Sequence, residues 1–478
     1  MYSLSKACLT SKTTIFDLHQ SRYMFDDKLL TSKRSQVSTS TGENMKITVK
    51  ESSIVKPSKT TPEKRLWNSN LDLVVGRIHI LTLYFYRQNG SSNFFDSRVL
   101  KKSLADVLVS FFPMAGRLGK DGEGRVDINC NGEGVLFVEA EADCDIDDFG
   151  EITPSPELRR LAPTVDYSGD ISSYPLFITQ VTHFKCGGVS LGCGLHHTLS
   201  DGLSALHFIN TWSDVTRGLS VAIPPFLDRT VIHARDPPSP LFDHVEYHTP
   251  PSMITSSNNK LADTSPDPVS TSILRLTFDQ INAIKSKCKG DGNVYLSTYE
   301  ILAAHLWRCA CKARGLLHDQ STKLYVATDG RSRLNPPLPP GYLGNVVFTA
   351  TPIAESGELE YESLANSAKR IHNELAKMDD MYLRSAIDYL ELQPDLSALI
   401  RGPTYFASPN LNINSWTRLP IYEADFGWGR PIFMGPASIL YEGTIYIIPS
   451  SNGDRSVSLA VCLGHSHMAL FRKYLYEF

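Results

Sequence analysis

Residues 176–202, LFITQVTHFKCGGVSLGCGLHHTLSDG, decide how the rest of the chain is read. LFITQVTHF (176–184) and VSLGCGLHH (189–197) are extended apolar runs, and Gly187-Gly188 between them is a hairpin signal. The second run ends at His197. A polar turn, Thr198-Leu199-Ser200-Asp201, then leads into LSALHFINTWSDVTRG, an amphipathic helix stopped by Gly218. A strand, a polar turn and a helix in that order can display a reactive side chain at the turn, which makes His197 the first candidate.

Upstream, ILTLYFYR (80–87) reads as a strand and SRVLKKSLADVLVSFF (97–112) as a helix, with Leu100, Leu104, Val107, Leu108 and Phe111 on one face. GRVDINC and GVLFVEAEA read as strands. Downstream, Ser297-Thr298-Tyr299-Glu300 is a capping box opening a helix that runs to Gly315. KLYVATDG, NVVFTATPIA, LNINSWTRL, GTIYIIPS and SVSLAVCLG are strand candidates. Between the halves, nine of the 28 prolines crowd into residues 224–268, so 224–269 is expected to be a crossover joining domains at 45–223 and 270–478. The class is mixed α/β with two domains. Residues 1–44 are rich in Ser and Thr, show no apolar period and carry Asp17, Asp26, Asp27 and Glu43. They are expected to be a disordered tail or an upstream-start extension, with Met45 as a natural alternative start.

Composition narrows the function. With 42% apolar and 21% charged residues and a formal charge of -4, the 478-residue chain lacks the basic excess of a nucleic-acid or anionic-membrane binder. No apolar run reaches the roughly 20 residues of a membrane span. Nine scattered cysteines without a C-x-x-C pair argue against a disulfide framework and a zinc site. A cytoplasmic, small-molecule protein, monomeric and without a metal, is the expectation.

Two further patterns compete with His197. Gly188-Val189-Ser190-Leu191-Gly192 fits the G-x-S-x-G elbow of serine hydrolases, but an extended run follows Ser190 where the elbow needs a helix. His244 and His248 have the spacing of a helical zinc site, yet prolines at 237, 238, 240, 250 and 251 deny them a helix. Histidine at a turn suits general-base chemistry near neutral pH. Asp201 could also be a helix N-cap.

His197-Thr198-Leu199-Ser200-Asp201-Gly202, taken with Asp425-Phe426-Gly427-Trp428-Gly429, resembles the paired HxxxDG and DFGWG signatures of the plant BAHD acyl-CoA-dependent acyltransferases. The likeness continues through FPMAGRL, ATDGRSRL, PPGYLGNV and GRPIFMGP, towards the hydroxycinnamoyl-CoA shikimate/quinate transferases. It implies two chloramphenicol-acetyltransferase-like domains with mixed sheets, flanking helices and an active-site channel at their interface. It implies transfer of a caffeoyl or p-coumaroyl group from coenzyme A to quinate or shikimate, with acyl-CoA as substrate and no cofactor. Thr198-Leu199-Ser200 and Asn414 resemble quinate-type members, so quinate is the expected acceptor. By the same resemblance, His197 is the general base and Trp416 donates to the oxyanion. Asp201 holds the turn by pairing with Arg331, Arg401 binds the acceptor carboxylate, and His79, Thr82 and Tyr84 line the acyl and acceptor pocket. Gly202, Gly427, Trp428 and Gly429 are architectural, with Asp425 in an ion pair. Lys285 and Lys287, on the helix DQINAIKSKCK, are candidates for the CoA phosphates.

Overall fold

The computed structural model describes residues 45–254, 267–288 and 294–478, so the reading of 1–44 lies outside the described residues. Two mixed sheets carry the fold. In the first, the strands lie in the order Ile47–Val55, Val135–Ala142, Phe177–His183, Val189–His196, His79–Tyr86 and Phe433–Pro436. Only the Val135–Ala142/Phe177–His183 pair is parallel. The second runs Val347–Ala350, Ser321–Asp329, Leu411–Ser415, Thr444–Pro449, Val457–Gly464, Val269–Leu276, with Ile353–Glu355 also pairing Ser321–Asp329.

The expected hairpin forms, and its pleat gives each face a separate task. Val189, Leu191, Cys193 and Leu195 enter a core shared with helices Ser97–Ser110 and Gly202–Thr216. The opposite face carries Gly188, Ser190, Gly192, Gly194 and His196. A Cβ at Gly192 would sit against the Leu161 carbonyl oxygen, and one at Gly194 would come within 2.6 Å of Ile178 and Leu81. The G-x-S-x-G match is therefore a close-packing surface. Ser190 is the second residue of strand Val189–His196, opposite Phe85 and Thr182 and fully buried; six strand residues follow it where an elbow needs a helix.

In the second sheet, Leu324, Val326, Leu411, Ile413, Ile445, Ile447, Leu459 and Val461 pack beneath helices that include Thr298–Arg314, Leu364–Ala376 and His465–Leu475. Ser297 closes the expected capping box and Gly315 ends the first of these helices in the left-handed region. The other face of this sheet meets the first domain: Ile448 and Ala460 belong to the first core, and Trp416, Tyr446 and Ile273 pack against it.

The expected boundary does not separate the chain cleanly. Phe433–Pro436 pairs with residues 82–85 as an edge strand of the first sheet. Just before it, Phe426 packs 4.9 Å from the Trp212 ring and Trp428 4.9 Å from Phe95, both inside the first core. Burying each ring contributes on the order of 2 kcal/mol, enough to hold this segment across the divide. Neither Val269–Leu276, at the start of the second domain, nor the four-residue Phe433–Pro436 is among the strands expected from the sequence.

Gly192→Ala should destabilise the protein by about 1–3 kcal/mol, because the opposing atom is backbone and cannot rotate away. Urea unfolding compared with Gly202→Ala, where a Cβ meets nothing within 4 Å, measures this.

Candidate active site

His197 follows the last residue of its strand, and its amide donates to the Ile78 carbonyl at 2.9 Å. The turn it opens is held from three directions. Asn345 Nδ2 donates to the His197 carbonyl at 2.9 Å, while Arg229 Nη2 donates to the Leu199 carbonyl at 2.6 Å. Both clamps lead to Asp72. Its Oδ1 accepts from the amide and side chain of Asn345 at 2.7 and 2.8 Å, and its Oδ2 lies 3.2 Å from Arg229 Nη1. All three side chains are buried. The His197 ring is half-buried, with Nδ1 enclosed and unpartnered, which leaves the other ring nitrogen to meet a substrate. Burial lowers the His197 pKa below its ordinary 6.5, against the opposing pull of Asp201 and Asn345. The imidazole is thus neutral at pH 7, the form a general base requires.

Asp201 makes no hydrogen bond to this ring among the described residues. It caps helix Gly202–Thr216 through the Ser204 amide at 3.1 Å, and it accepts from Arg331 at 2.8 and 3.0 Å and from the Val346 amide at 3.0 Å. Burial alone would raise its carboxyl. The Arg331 charge and these hydrogen bonds outweigh that and hold it below the usual carboxylate range. Arg331 also reaches Asp329, Ser204 Oγ and the Gly344 carbonyl. Gly202 occupies the first helical position with open space around it.

The facing sheet supplies the remaining candidates. Asn414 and Trp416 alternate onto the side away from the helices, together with Asn412 and Tyr446, and the Trp416 ring stands 5.1 Å from Tyr446. No described residue accepts a hydrogen bond from the Trp416 indole N–H. Arg401 donates to Thr349 Oγ1 at 2.7 Å and to the Glu246 carbonyl at 3.2 Å.

His79 separates from Thr82 and Tyr84. The pleat puts Thr82 and Tyr84 on the side of Leu195 and Cys193, whereas His79 pairs with His196 on the other face. The His79 ring is fully employed, accepting from Tyr167 Oη at 2.6 Å and donating to the Pro175 carbonyl at 2.8 Å. Burial pushes its pKa down to about 4. It belongs to an aromatic cluster with Tyr167, Tyr174 and His196. Tyr84 is fully buried with an unpartnered hydroxyl, and Thr82 is half-buried.

Asp425 differs from expectation. No described Lys or Arg lies within 4 Å, and its Oδ1 instead accepts from the amides of Gly427 and Gly429 at 2.8 and 2.9 Å, closing a turn in which both glycines have positive φ. Trp428 Nε1 donates to Asn93 Oδ1 at 3.3 Å. Lys285, in the last turn of helix Phe278–Ser286, is half-buried, and Lys287, at its C-cap, is exposed. His244 and His248 do not converge. His248 pairs with Asp243 at 2.9 Å, while buried His244 bridges Ser385 Oγ at 2.8 Å and Glu246 Oε1 at 3.0 Å.

Sequence reasoning missed Asp72, Arg229 and Asn345. Ser69-Asn70-Leu71-Asp72 is an S-x-x-D box whose reciprocal hydrogen bonds form, so Asp72 had a local signal. Arg229 and Asn345 had none, since their partners lie 30 to 273 residues away in sequence.

Solved structures sharing the fold include vinorine synthase, with a TM-score of 0.68 and 22% identity over 89% of this chain and 96% of that one. Fusarium graminearum TRI101, complexed with coenzyme A and T-2 mycotoxin, gives 0.67 and 17% over 85% and 96%. Among curated relatives, the shikimate O-hydroxycinnamoyltransferase of Nicotiana tabacum is 59% identical over 91% of this chain and all of its own length. A hydroxycinnamoyltransferase of Narcissus pseudonarcissus is 56% identical over the same shares. An Avena sativa hydroxycinnamoyl-CoA:5-hydroxyanthranilate N-hydroxycinnamoyltransferase is 53% identical over 90% and 99%. The Transferase family profile matches residues 45–478, and the chain belongs to that family, of the BAHD acyltransferase type.

Proposed function

We propose that the protein transfers a hydroxycinnamoyl group from coenzyme A to a ring hydroxyl of shikimate, with His197 as general base. The observation that carries this reading is the neutral, clamped imidazole at the end of its strand in a chain 59% identical to a shikimate O-hydroxycinnamoyltransferase over that enzyme's whole length. The preference for quinate drawn from Thr198-Leu199-Ser200 and Asn414 gives way to shikimate because the tobacco relative is named for that acceptor. Quinate stays as the second reading on the strength of those four residues.

The steps follow from the thioester being already activated. His197 takes the proton of the attacking hydroxyl as the new C–O bond forms at the thioester carbonyl. The tetrahedral oxyanion is met by the indole N–H of Trp416, a kind of contact worth about 10²- to 10³-fold in rate. Collapse breaks the C–S bond, and the imidazolium returns its proton to the departing thiolate. Acid-base help of this kind contributes about 10²- to 10⁴-fold. Arg401 suits the acceptor carboxylate because its planar fork pairs bidentately with such groups. Lys285 and Lys287 are the cations proposed for the CoA phosphates.

With p-coumaroyl-CoA, thiol release should require an acceptor, and shikimate should show the higher kcat/KM. A higher value for quinate reverses the acceptor order, and acceptor-independent release removes the transferase reading. His197→Ala should lower kcat by at least about 10²-fold, while Ser190→Ala should turn over normally and the wild-type protein should resist fluorophosphonate labelling. Because burial lowers the His197 pKa, kcat/KM should rise with pH through an inflection below 6.5. Asp201→Asn should cost about 3–5 kcal/mol of stability in urea unfolding, by leaving Arg331 unpaired. Its kcat, measured well below the unfolding transition, should fall less than that of His197→Ala; an equal loss would place Asp201 in the chemistry.

A further inference from the structure

The cysteines divide by environment. Burial pushes the thiols of Cys130, Cys193 and Cys309 up to about 12 and those of Cys311 and Cys462 up to about 11, which leaves them as inert packing. Cys186 is the one exposed cysteine among the described residues. Half-buried Cys144 belongs to the segment packed against it.

Cys186 stands in the turn that joins the two strands of the hairpin before His197. The Gly187 amide closes that turn onto the Phe184 carbonyl at 2.9 Å, with Gly187 in the left-handed region. The neighbouring Lys185 amide donates to the Cys144 carbonyl at 3.1 Å, so the backbone of residue 144 lies directly against the residue that precedes Cys186. Further contacts keep the two segments together. The Phe149 ring is 5.8 Å from that of Phe184, the Ile146 side chain leaves no room for a Cβ on Gly188, and Arg87 pairs with Asp147. Hydrogen-bonded neighbouring chains lie about 5 Å apart, and a disulfide spans α-carbons about 4.4–6.8 Å apart. The two cysteines also feel each other's charge. Burial, then Asp148, Asp143, Asp145 and Cys186, push the Cys144 thiol up to about 11. Cys144 is therefore the slower nucleophile, and exposed Cys186 meets an oxidant first.

We propose that Cys144 and Cys186 are a redox-active thiol pair, joined reversibly into a disulfide by a small disulfide oxidant such as glutathione disulfide. The Cys186 thiolate attacks one sulfur of glutathione disulfide, whose S–S bond breaks, and the first glutathione leaves. Cys144 then loses its proton and attacks the Cys186 sulfur, and the second glutathione is expelled. Two protein thiols lose two electrons and two protons, and one glutathione disulfide becomes two glutathione thiols. The bond closes residues 144–186 into a covalent loop that contains Tyr167 and Tyr174, the rings packed around His79. It restrains the unfolded chain and so stabilises the first domain. Because it lies at the end of the hairpin opposite His197, it does so away from the proposed chemistry.

The full-length protein, equilibrated in glutathione buffers of rising disulfide content, quenched in acid and alkylated, tests this by peptide mass spectrometry. A peptide linking Cys144 to Cys186 should accumulate and should disappear after dithiothreitol. In Cys144→Ser, Cys186 should stop as a mixed disulfide carrying one glutathione, whereas Cys186→Ser should leave Cys144 free. The oxidised wild-type protein should melt about 3 °C or more above the reduced one, a difference absent from both variants. A mixed disulfide that persists on Cys186 of the wild type, a link from Cys186 to another cysteine, or two free thiols in excess glutathione disulfide would overturn the pairing. A linked protein with an unchanged melting temperature would overturn its stabilising role.

Discussion

The buried ion pair between Asp201 and Arg331 is the constraint on which the rest of the site depends. Its two residues are 130 positions apart, yet they meet at the first turn of the helix that follows His197. A second buried pair, Asp72 with Arg229, stands beside the same turn and reaches the His197 and Leu199 carbonyls through Asn345 and Arg229. Taking four charges out of water is costly, and their mutual attraction offsets that cost only when every lone pair and N–H is satisfied. The hydrogen bonds around Asp201 come close to that: Arg331, Ser204 and Val346 occupy its oxygens. A turn fixed this way cannot slide without exposing an unpaired charge to a dry interior. The position of the imidazole is therefore set by contact between the two halves of the chain and not by the hairpin alone.

The hairpin strand shows a different economy of design. One face needs large side chains to fill a core, while the other needs almost none, because the backbone at Leu161 and the side chains of Ile178 and Leu81 lie directly against it. Alternating glycines meet both demands within eight residues. The same pleat distinguishes two adjacent histidines. His196 is turned into the aromatic cluster, 5.6 Å from the Tyr174 ring and 5.2 Å from His79, and burial holds it well below its ordinary pKa. His197 leaves the strand on the side where the second sheet stands opposite.

Much of this was legible in the sequence wherever the signal is local. The hairpin, the helix after Asp201, the capping box at Ser297 and the strand ending at Ser415 all follow from alternation, helical period and turn chemistry within a window of a few residues. Two motifs far apart in sequence pointed to a shared family because they occur together, in the right order and places; H-x-x-x-D alone is expected by chance nearly once in a chain with 14 histidines. What could not be read were properties created by folding. That Phe433–Pro436 joins the first sheet depends on where Phe426 and Trp428 find a core, and that Asp425 closes a turn in place of an ion pair depends on which groups come near it. Family resemblance groups His79 with Thr82 and Tyr84, but strand register puts it on the face opposite theirs.

Geometry alone would mislead elsewhere. Ser385, His244 and Glu246 are linked in the order of a catalytic triad, with hydrogen bonds of 2.8 and 3.0 Å. Yet Ser385 Oγ already accepts from the amides of Leu241 and Phe242, and all three side chains are buried, so the hydroxyl has neither a free lone pair nor access to a substrate. Glu246 is likewise fully subscribed by His244 and Tyr382. The array braces the crossover against helix Asp380–Glu391. Satisfaction of charge and hydrogen-bonding capacity thus separates the polar clusters of this protein by role. Asp201 with Arg331, Asp72 with Arg229, and Arg314 with Glu442 at 2.7 Å are neutralised pairs, and they build the frame. Lys323 and Arg401 share a ring and, among the described residues, form no ion pair within 4 Å; their hydrogen bonds run to the Val245 and Glu246 carbonyls and to Thr349 Oγ1.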